Sequence, residues 1–449
     1  MHILVLNGSP KGEYSITLQT VRYLERLNPQ HTFQTLHVGR KIKTLEKDFS
    51  PALEALEQAD VLLFAYPVYT FLAPSQLHRF IRLMKQHNAP VAGKLATQIT
   101  TSKHFYDVTA HRYIQDNCQD LGLRYIHGLS ADMEDLLSEQ GQREAAAFWQ
   151  HFCWQAERGY TDHAPCPNIP YAPVTATVPV SPSQPTEGNV VIVADLAEED
   201  VRLRAMVERF RAVLPRKTRL VNLREYPFQG GCLGCFQCAT DGKCIYKDNF
   251  DTFLRKDIQT ADAIVYAFSV QDHSMGVTMK LYDDRQFCNG HRTVTIGMPA
   301  GYLISGNYSA ENNLQTVVEA RAQVGGNIFA GVATDEADTD TRIDRLADSL
   351  LYALEHPVRR PQNFYGVGGM KIFRDLIYQM QGMMKADHRF FKSPGQYDFP
   401  QNRKGTILKM YLVGALLSSP AIRAKMGNRM NEGMIAPYRK VLEEAGKQP

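Results

Sequence analysis

Two stretches of this chain, EQADVLLFAYPVY (57–69) and QTADAIVYAFSVQ (259–271), can be laid on one another without a gap. Each holds a short apolar run rich in β-branched and aromatic residues and opens into a loop. That is the pattern of a strand buried on both faces of a parallel sheet. Parallel strands need helical crossovers, so whatever surrounds one copy should also surround the other.

The same rhythm runs on either side of both stretches. In the first half, strands are expected at 3–7, 33–38, 61–66, 96–100 and 124–129, with helical stripes such as Leu18, Val21, Leu24 and Leu27 between them. In the second half they are expected at 190–194, 219–223, 263–268, 293–297 and 327–332. A chain of 449 residues is too long for one ordinary domain. The expected organisation is therefore α/β. A first domain (1–158) holds a doubly wound parallel five-stranded sheet. A Pro-rich linker (159–189) joins it to a second such domain (190–356), and a C-terminal helical extension (357–449) follows.

Composition narrows the function. At 44% hydrophobic and 22% charged residues, the chain can bury substantial cores. A formal charge of +3 suggests neither a nucleic-acid stripe nor a polybasic membrane patch. Met1 runs directly into HILVLNGSP, and MYLVGALL (410–417) is too short for a membrane span. The expected location is cytoplasmic, where thiols stay reduced.

The segment NGSPKGEYSIT (7–17) links the first strand to the first helix. Gly8 permits a tight turn, Ser9, Ser15 and Thr17 supply hydroxyls, and the helix N-terminus offers unpaired N–H groups. Neither G-x-G-x-x-G nor G-x-x-x-x-G-K-[ST] is present, so a single phosphate monoester suits this loop best. YPVYTFLAPSQLHRFI (66–81) leaves the third strand as an aromatic loop. TTSKHFYD (100–107) adds Thr101 and Ser102 at the rim of the same switch point. His104, Asp107 and His111 share a helical face there, but that spacing recurs by chance and reads as a solvated face.

These residues resemble the flavodoxin-like NAD(P)H-dependent FMN reductases, and within them the iron–sulfur flavoproteins; the resemblance covers about residues 1–157 and 190–350. It implies FMN on Ser9, Lys11, Ser15, Ile16, Thr17 and Leu18, on Pro67, Val68, Tyr69, Thr70 and Phe71, and on Thr101 and Ser102. The family helix after the aromatic loop carries L-K-x-x-x-D-R. The first half has Leu77, His78 and Arg82 there, whereas MKLYDDR (279–285) in the second half keeps the Lys and the Asp-Arg. Conversely, VADLAEED (193–200) replaces the phosphate loop, and its carboxylates would repel a phosphate.

Half of the eight cysteines fall in GGCLGCFQCATDGKC (230–244): Cys232, Cys235, Cys238 and Cys244. A C-x2-C-x2-C run with a nearby fourth Cys wraps a cluster tightly, while structural zinc prefers two separated knuckles. The spacing leaves a [4Fe–4S] cluster, zinc and free thiols all open. The family resemblance implies the cluster. Cys118, Cys153, Cys166 and Cys288 are scattered and read as structural.

The resulting expectation is an oxidoreductase in which NAD(P)H reduces FMN in the first half and electrons pass to a cluster in the second, or to an unidentified acceptor. The chain would be a monomeric pseudo-dimer or a homodimer. The alternatives are a non-catalytic electron carrier, an FMN reductase with vestigial or zinc-binding cysteines, and a scaffold that binds neither cofactor.

Overall fold

The computed structural model describes residues 1–162, 169–180, 183–235, 237–358, 361–392, 397, 404–417 and 419–421. Cys166, part of the Pro-rich linker and much of the C-terminal extension lie outside the described residues. Strands β1 (His2–Asn7), β2 (Thr32–Leu36), β3 (Val61–Pro67), β4 (Leu95–Ser102), β5 (Arg124–Tyr125) and β6 (Leu129–Asp132) form a parallel sheet ordered β2-β1-β3-β4, with β5 and β6 both on β4. Strands β7 (Thr186–Ala194), β8 (Arg216–Asn222), β9 (Ala263–Ser269), β10 (Pro299–Ser305) and β11 (Ile328–Thr334) form a second, ordered β8-β7-β9-β10-β11. Both sheets are parallel throughout and share one winding, that of two flavodoxin-like folds in tandem.

Two expected strands are corrected. The fourth strand of the second sheet is β10, not 293–297. That earlier segment is a turn that leaves Val294 and Ile296 exposed. Gly297, at φ +80°, then donates its N–H to the Gly326 carbonyl at 2.8 Å. The first sheet builds the same entrance, with Gly93 at φ +79° bonded to Gly122 at 2.8 Å. TVTIG alternates like a half-buried strand, but an inner parallel strand must be covered on both faces, and the buried run PAGYLIS meets that demand. The expected strand 124–129 is split into β5 and β6, making the first sheet six-stranded. Gly128 lies against the Gln98 carbonyl so closely that a Cβ there would approach to 2.3 Å. The chain bulges around the Gln98 side chain, which is bonded to Tyr66 Oη at 2.6 Å.

Each sheet has an outer and an inner helix layer. Outside the first lie Ile16–Leu27 and Glu139–Arg158, around Val21, Leu24 and Trp149. Outside the second lie Val201–Val213 and Thr339–Glu355. The inner helices Ser75–Gln86 and Asp107–Asp120 pack on Gly276–Arg285 and Asn312–Gly325, so that a single apolar core runs through both halves. Leu77, Phe80, Met84, Met279, Val317 and Val318 are all buried in it, each contributing about 1.5–3 kcal/mol.

The halves meet around a pseudo-two-fold axis. The shift that maps residue 57 onto 259 also maps the turn at Tyr69–Leu72 onto Gln271–Ser274, and each turn is closed by reciprocal backbone bonds at 2.8–3.0 Å. Thr70 and Phe71 have φ +37° and +72°; their counterparts Asp272 and His273 have +51° and +58°. Thr70 bonds Asp284 at 2.7 Å across the axis, and the equivalent pair, Asp272 and Arg82, meets at 3.4 Å. Such reciprocity is the mark of an isologous interface, here inside one chain.

Met1–Phe390 forms one compact unit, which holds both sheets and the helix Phe364–Gln379; Phe391–Pro449 forms another. No described helix is long and apolar enough to cross a membrane.

Candidate functional site

The 7–17 loop is shaped by the Asn7 side chain at the end of β1. Its amide donates to the Gly12 carbonyl at 3.0 Å and accepts the Ser9 N–H at 3.1 Å. Gly39 lies so near that a Cβ on it would sit 2.3 Å from the Gly8 carbonyl oxygen. Ser15 caps the helix Ile16–Leu27, accepting from the Leu18 N–H at 3.4 Å. Thr17 bonds Thr101 at 2.7 Å, which ties the first loop to the end of β4. The first-turn N–H groups and the hydroxyls of Ser9, Ser15 and Thr17 make a cradle suited to a dianionic phosphate.

These loops open onto a cavity of about 200 Å³. Of the residues predicted from sequence, Ser9, Lys11, Ser15, Ile16, Thr17, Pro67, Val68, Tyr69, Thr70, Thr101 and Ser102 line it. So do Cys232, Cys235, Cys238 and Cys244 from the other half. Leu18 and Phe71 are placed elsewhere. Leu18 is buried in the core of the first half, and Phe71 packs on Phe105 and Tyr106 with ring centroids 5.1 and 4.5 Å apart. His104 bonds Asp107 at 2.8 Å, and His111 bonds Thr100 at 2.8 Å.

The cysteine loop is seated directly on the 66–71 loop of the first half. Gly234, at φ +61°, approaches Tyr69 so closely that a Cβ would lie 2.0 Å from the phenolic oxygen and 3.5 Å from Lys11 Cε. Gln76 Nε2 donates to the Cys232 carbonyl at 3.2 Å, and Lys43 Nζ donates to the Gln229 carbonyl. Burial lowers the affinity of the Lys11 amine for its proton, opposed by the neighbouring Cys235 and Cys232. Burial also pushes the Tyr69 hydroxyl far up, with Cys232 and Asp284 adding to it.

Among the described residues, two donors face the sulfurs. The Gly234 N–H points to Cys232 Sγ at 3.5 Å, and Arg285 Nη2 to Cys244 Sγ at 3.8 Å. Arg285 is buried, forked onto Asp248 with both contacts at 2.8 Å, and lies 4.5 Å from the Tyr246 ring centroid. Burial pushes the Cys238 thiol up to about 11, and nearby Cys235 and Cys244 add to the effect. N–H and guanidinium donors aimed at sulfur stabilise thiolates, which is what a cluster requires of its surroundings. Among the described residues, no three His, Cys, Asp or Glu side chains gather closely enough to hold a single metal ion.

Sequence reasoning missed part of this cavity. Cys288, read as structural, lines it, as do Phe287 and His291. Helix Phe364–Gln379 closes one side through Ile372, Phe373 and Leu376, with Phe373 stacked on Phe105 at 4.6 Å. His291 Nδ1 bonds the fully buried Asp387 at 3.1 Å. The one available signal was MKLYDDR, whose Lys280, Asp284 and Arg285 all reach this interface.

The equivalent corner of the second half is filled by its own side chains. Asp195 stands where the first half has Gly8, bonded to the β9 carbonyl of Ala267 at 2.9 Å and to Arg224 at 2.6 Å. Buried Asp335 accepts from Tyr171, Ser305, the Gly306 N–H and Arg202 at 2.6–3.1 Å, and residues 171–174 of the Pro-rich stretch lie across it.

Comparison with known proteins bears on this site. Residues 1–113 match the family described as NADPH-dependent FMN reductase. An "Iron-sulfur flavoprotein" from Archaeoglobus fulgidus is 25% identical over 175 residues, covering 36% of this chain and 78% of the relative. Among solved structures, an NADPH-quinone reductase from P. pentosaceus is 15% identical with a TM-score of 0.28, covering 34% of this chain and 97% of its own. An FMN-dependent NADH-azoreductase from Bacillus anthracis, solved with FMN, is 14% identical with a TM-score of 0.25, covering 36% and 100%. The first half of the chain is thus similar to NADPH-dependent FMN reductases over residues 1–113.

Proposed function

We propose that this chain is an NAD(P)H-dependent FMN oxidoreductase in which the first half holds the flavin and the four cysteines of the second half hold a [4Fe–4S] cluster beside it. The observation that carries this reading is the shared cavity, lined by the 9–17, 67–70 and 101–102 loops of one half and by Cys232, Cys235, Cys238 and Cys244 of the other. Ser9, Ser15, Thr17 and the first-turn N–H groups would hold the phosphate, and Pro67 to Thr70 would border the ring. Bound FMN supplies two-electron exchange with a nicotinamide, and a cluster supplies one-electron transfer onward. The protein's share is placement: Gly234 lets the cysteine loop touch Tyr69, and Arg285 holds positive charge beside Cys244. Ile372, Phe373 and Leu376 of the 364–379 helix supply an apolar wall on one side of the cavity.

A second reading is a plain FMN reductase whose cysteines carry no cluster. It is favoured by the finding that, among the described residues, no three Cys, His, Asp or Glu side chains lie close enough to hold one metal ion. The test is an ultraviolet–visible spectrum of anaerobically purified protein, with iron and FMN quantified and NAD(P)H oxidation followed on the same sample. Flavin with about four irons per chain supports the proposal. Flavin and turnover without iron, even after reconstitution, select the second reading. Both cofactors without NAD(P)H oxidation would make the chain an electron carrier.

A further inference from the structure

We infer that Lys280 and Asp284, on helix Gly276–Arg285 of the second half, are positioning residues for the flavin loop of the first half. The inference rests on the reading that the 67–71 loop borders the flavin. Both side chains are fully buried. Lys280 Nζ donates to the Tyr69 carbonyl at 2.8 Å, to Thr70 Oγ1 at 2.8 Å and to Asp284 Oδ1 at 2.5 Å, which uses all three of its protons. Asp284 Oδ1 also accepts the Thr70 hydroxyl at 2.7 Å, and Oδ2 accepts the Ser75 N–H at 2.7 Å. The pair therefore grips both ends of the aromatic loop, from Tyr69 to the start of the next helix.

That grip has a conformational purpose. Thr70 and Phe71 are non-glycine residues at positive φ, a geometry that persists only where the surroundings over-determine it. A buried ion pair is tolerated when every donor and acceptor is satisfied, and it then specifies one arrangement. The support is not mirrored at the equivalent positions, although Lys85 and Asp120 of the first half pair with Asp272 and His273 at 3.1 Å each. The positions equivalent to Lys280 and Asp284 in the first half are His78 and Arg82. Among the described residues, Arg82 pairs with Asp272 at 3.4 Å and no hydrogen bond is made by His78 Nε2. The second half, whose own phosphate corner is filled, thus acts as a built-in brace for the flavin loop of the first.

The test is FMN titration into full-length apoprotein, read by quenching of flavin fluorescence, with the thermal midpoint measured on each variant. Lys280→Met and Asp284→Asn are expected to weaken FMN binding at least tenfold. Thr70→Val, which removes only the hydroxyl that both side chains hold, should weaken it several-fold with a smaller fall in midpoint than either buried-charge variant, and serves if those variants do not fold. Arg82→Met cuts the pseudo-symmetric contact and should leave FMN affinity unchanged. Equal loss in Arg82→Met and Thr70→Val, or no loss in Thr70→Val, would overturn the brace. Wild-type apoprotein that binds no FMN would instead overturn the site reading, and the brace with it.

Discussion

Gly234→Ala probes the point where the two halves touch. Gly234 sits at φ +61°, where a side chain adds roughly 1–2 kcal/mol of backbone strain. Its Cβ would lie 2.0 Å from the Tyr69 hydroxyl oxygen, against ordinary contact at 3.4 Å or more. Tyr69 is half-buried, and to relieve the overlap either its ring retreats by more than 1 Å together with the 67–71 loop or the cysteine loop lifts away. Both outcomes separate the groups that build the cavity. At about 1.4 kcal/mol per tenfold, we expect FMN affinity to fall about tenfold or more. The control is Gly242→Ala, at φ +80°, where the nearest atom to a Cβ is Arg292 Nη2 at 3.5 Å. It carries similar backbone strain, and the nearest described atoms belong to Arg292 and Arg255 rather than to the 67–71 loop. FMN titration with thermal unfolding on both variants separates the effects. Similar losses of midpoint with a loss of FMN affinity confined to Gly234→Ala are expected; equal FMN affinities in the two would refute the reasoning.

Three other outcomes follow from the geometry. His273 lies between Asp120 of the first half and Glu311, at 3.1 Å from each; burial disfavours its charge, but the hydrogen bonds to the two carboxylates prevail and raise its pKa to about 10. Its contribution to stability is fully present below the unfolded value near 6.5 and is lost as pH rises through about 10. The midpoint gap between wild type and His273→Gln should therefore be widest near pH 6 and close toward pH 10; a constant gap would contradict the ion-pair account. In metal-free protein at pH 8, iodoacetamide followed by peptide mass spectrometry should modify the exposed Cys235 before Cys238, whose thiol burial holds up at about 11; the reverse order would refute the cavity geometry. Saturating FMN should bind once per chain, because Asp195, Arg224 and Asp335 fill the second corner, and two equivalents would contradict that account.

Much of the fold follows from local pattern. Apolar runs such as VLLFAY and AIVYAF can satisfy their backbone and bury both faces only as inner parallel strands. Their repetition with helical crossovers specified two doubly wound sheets. The Gly- and Ser-bearing loop that caps the first helix was also readable, because Gly8 and the Ser and Thr residues around it sit within a dozen positions of one another. The cysteine spacing was equally local. Pattern misled where a run satisfied a period without the burial it implies, as TVTIG did beside PAGYLIS.

What the tertiary structure alone decided is which loop faces which. Amphipathic periodicity shows that Ser75–Gln86 and Gly276–Arg285 each bury a face, but not that they bury it on one another. That packing brings Asp284 onto Thr70 and Gly234 onto Tyr69, while helix Phe364–Gln379, packed on Asn312–Gly325, brings Phe373 over the same cavity. Those partners are far apart along the chain, and no local propensity reports a contact whose two sides are set by separate helices. Their meeting is a property of the shared core, where the gain from burying both inner helix layers sets the distance at which every loop above them must meet.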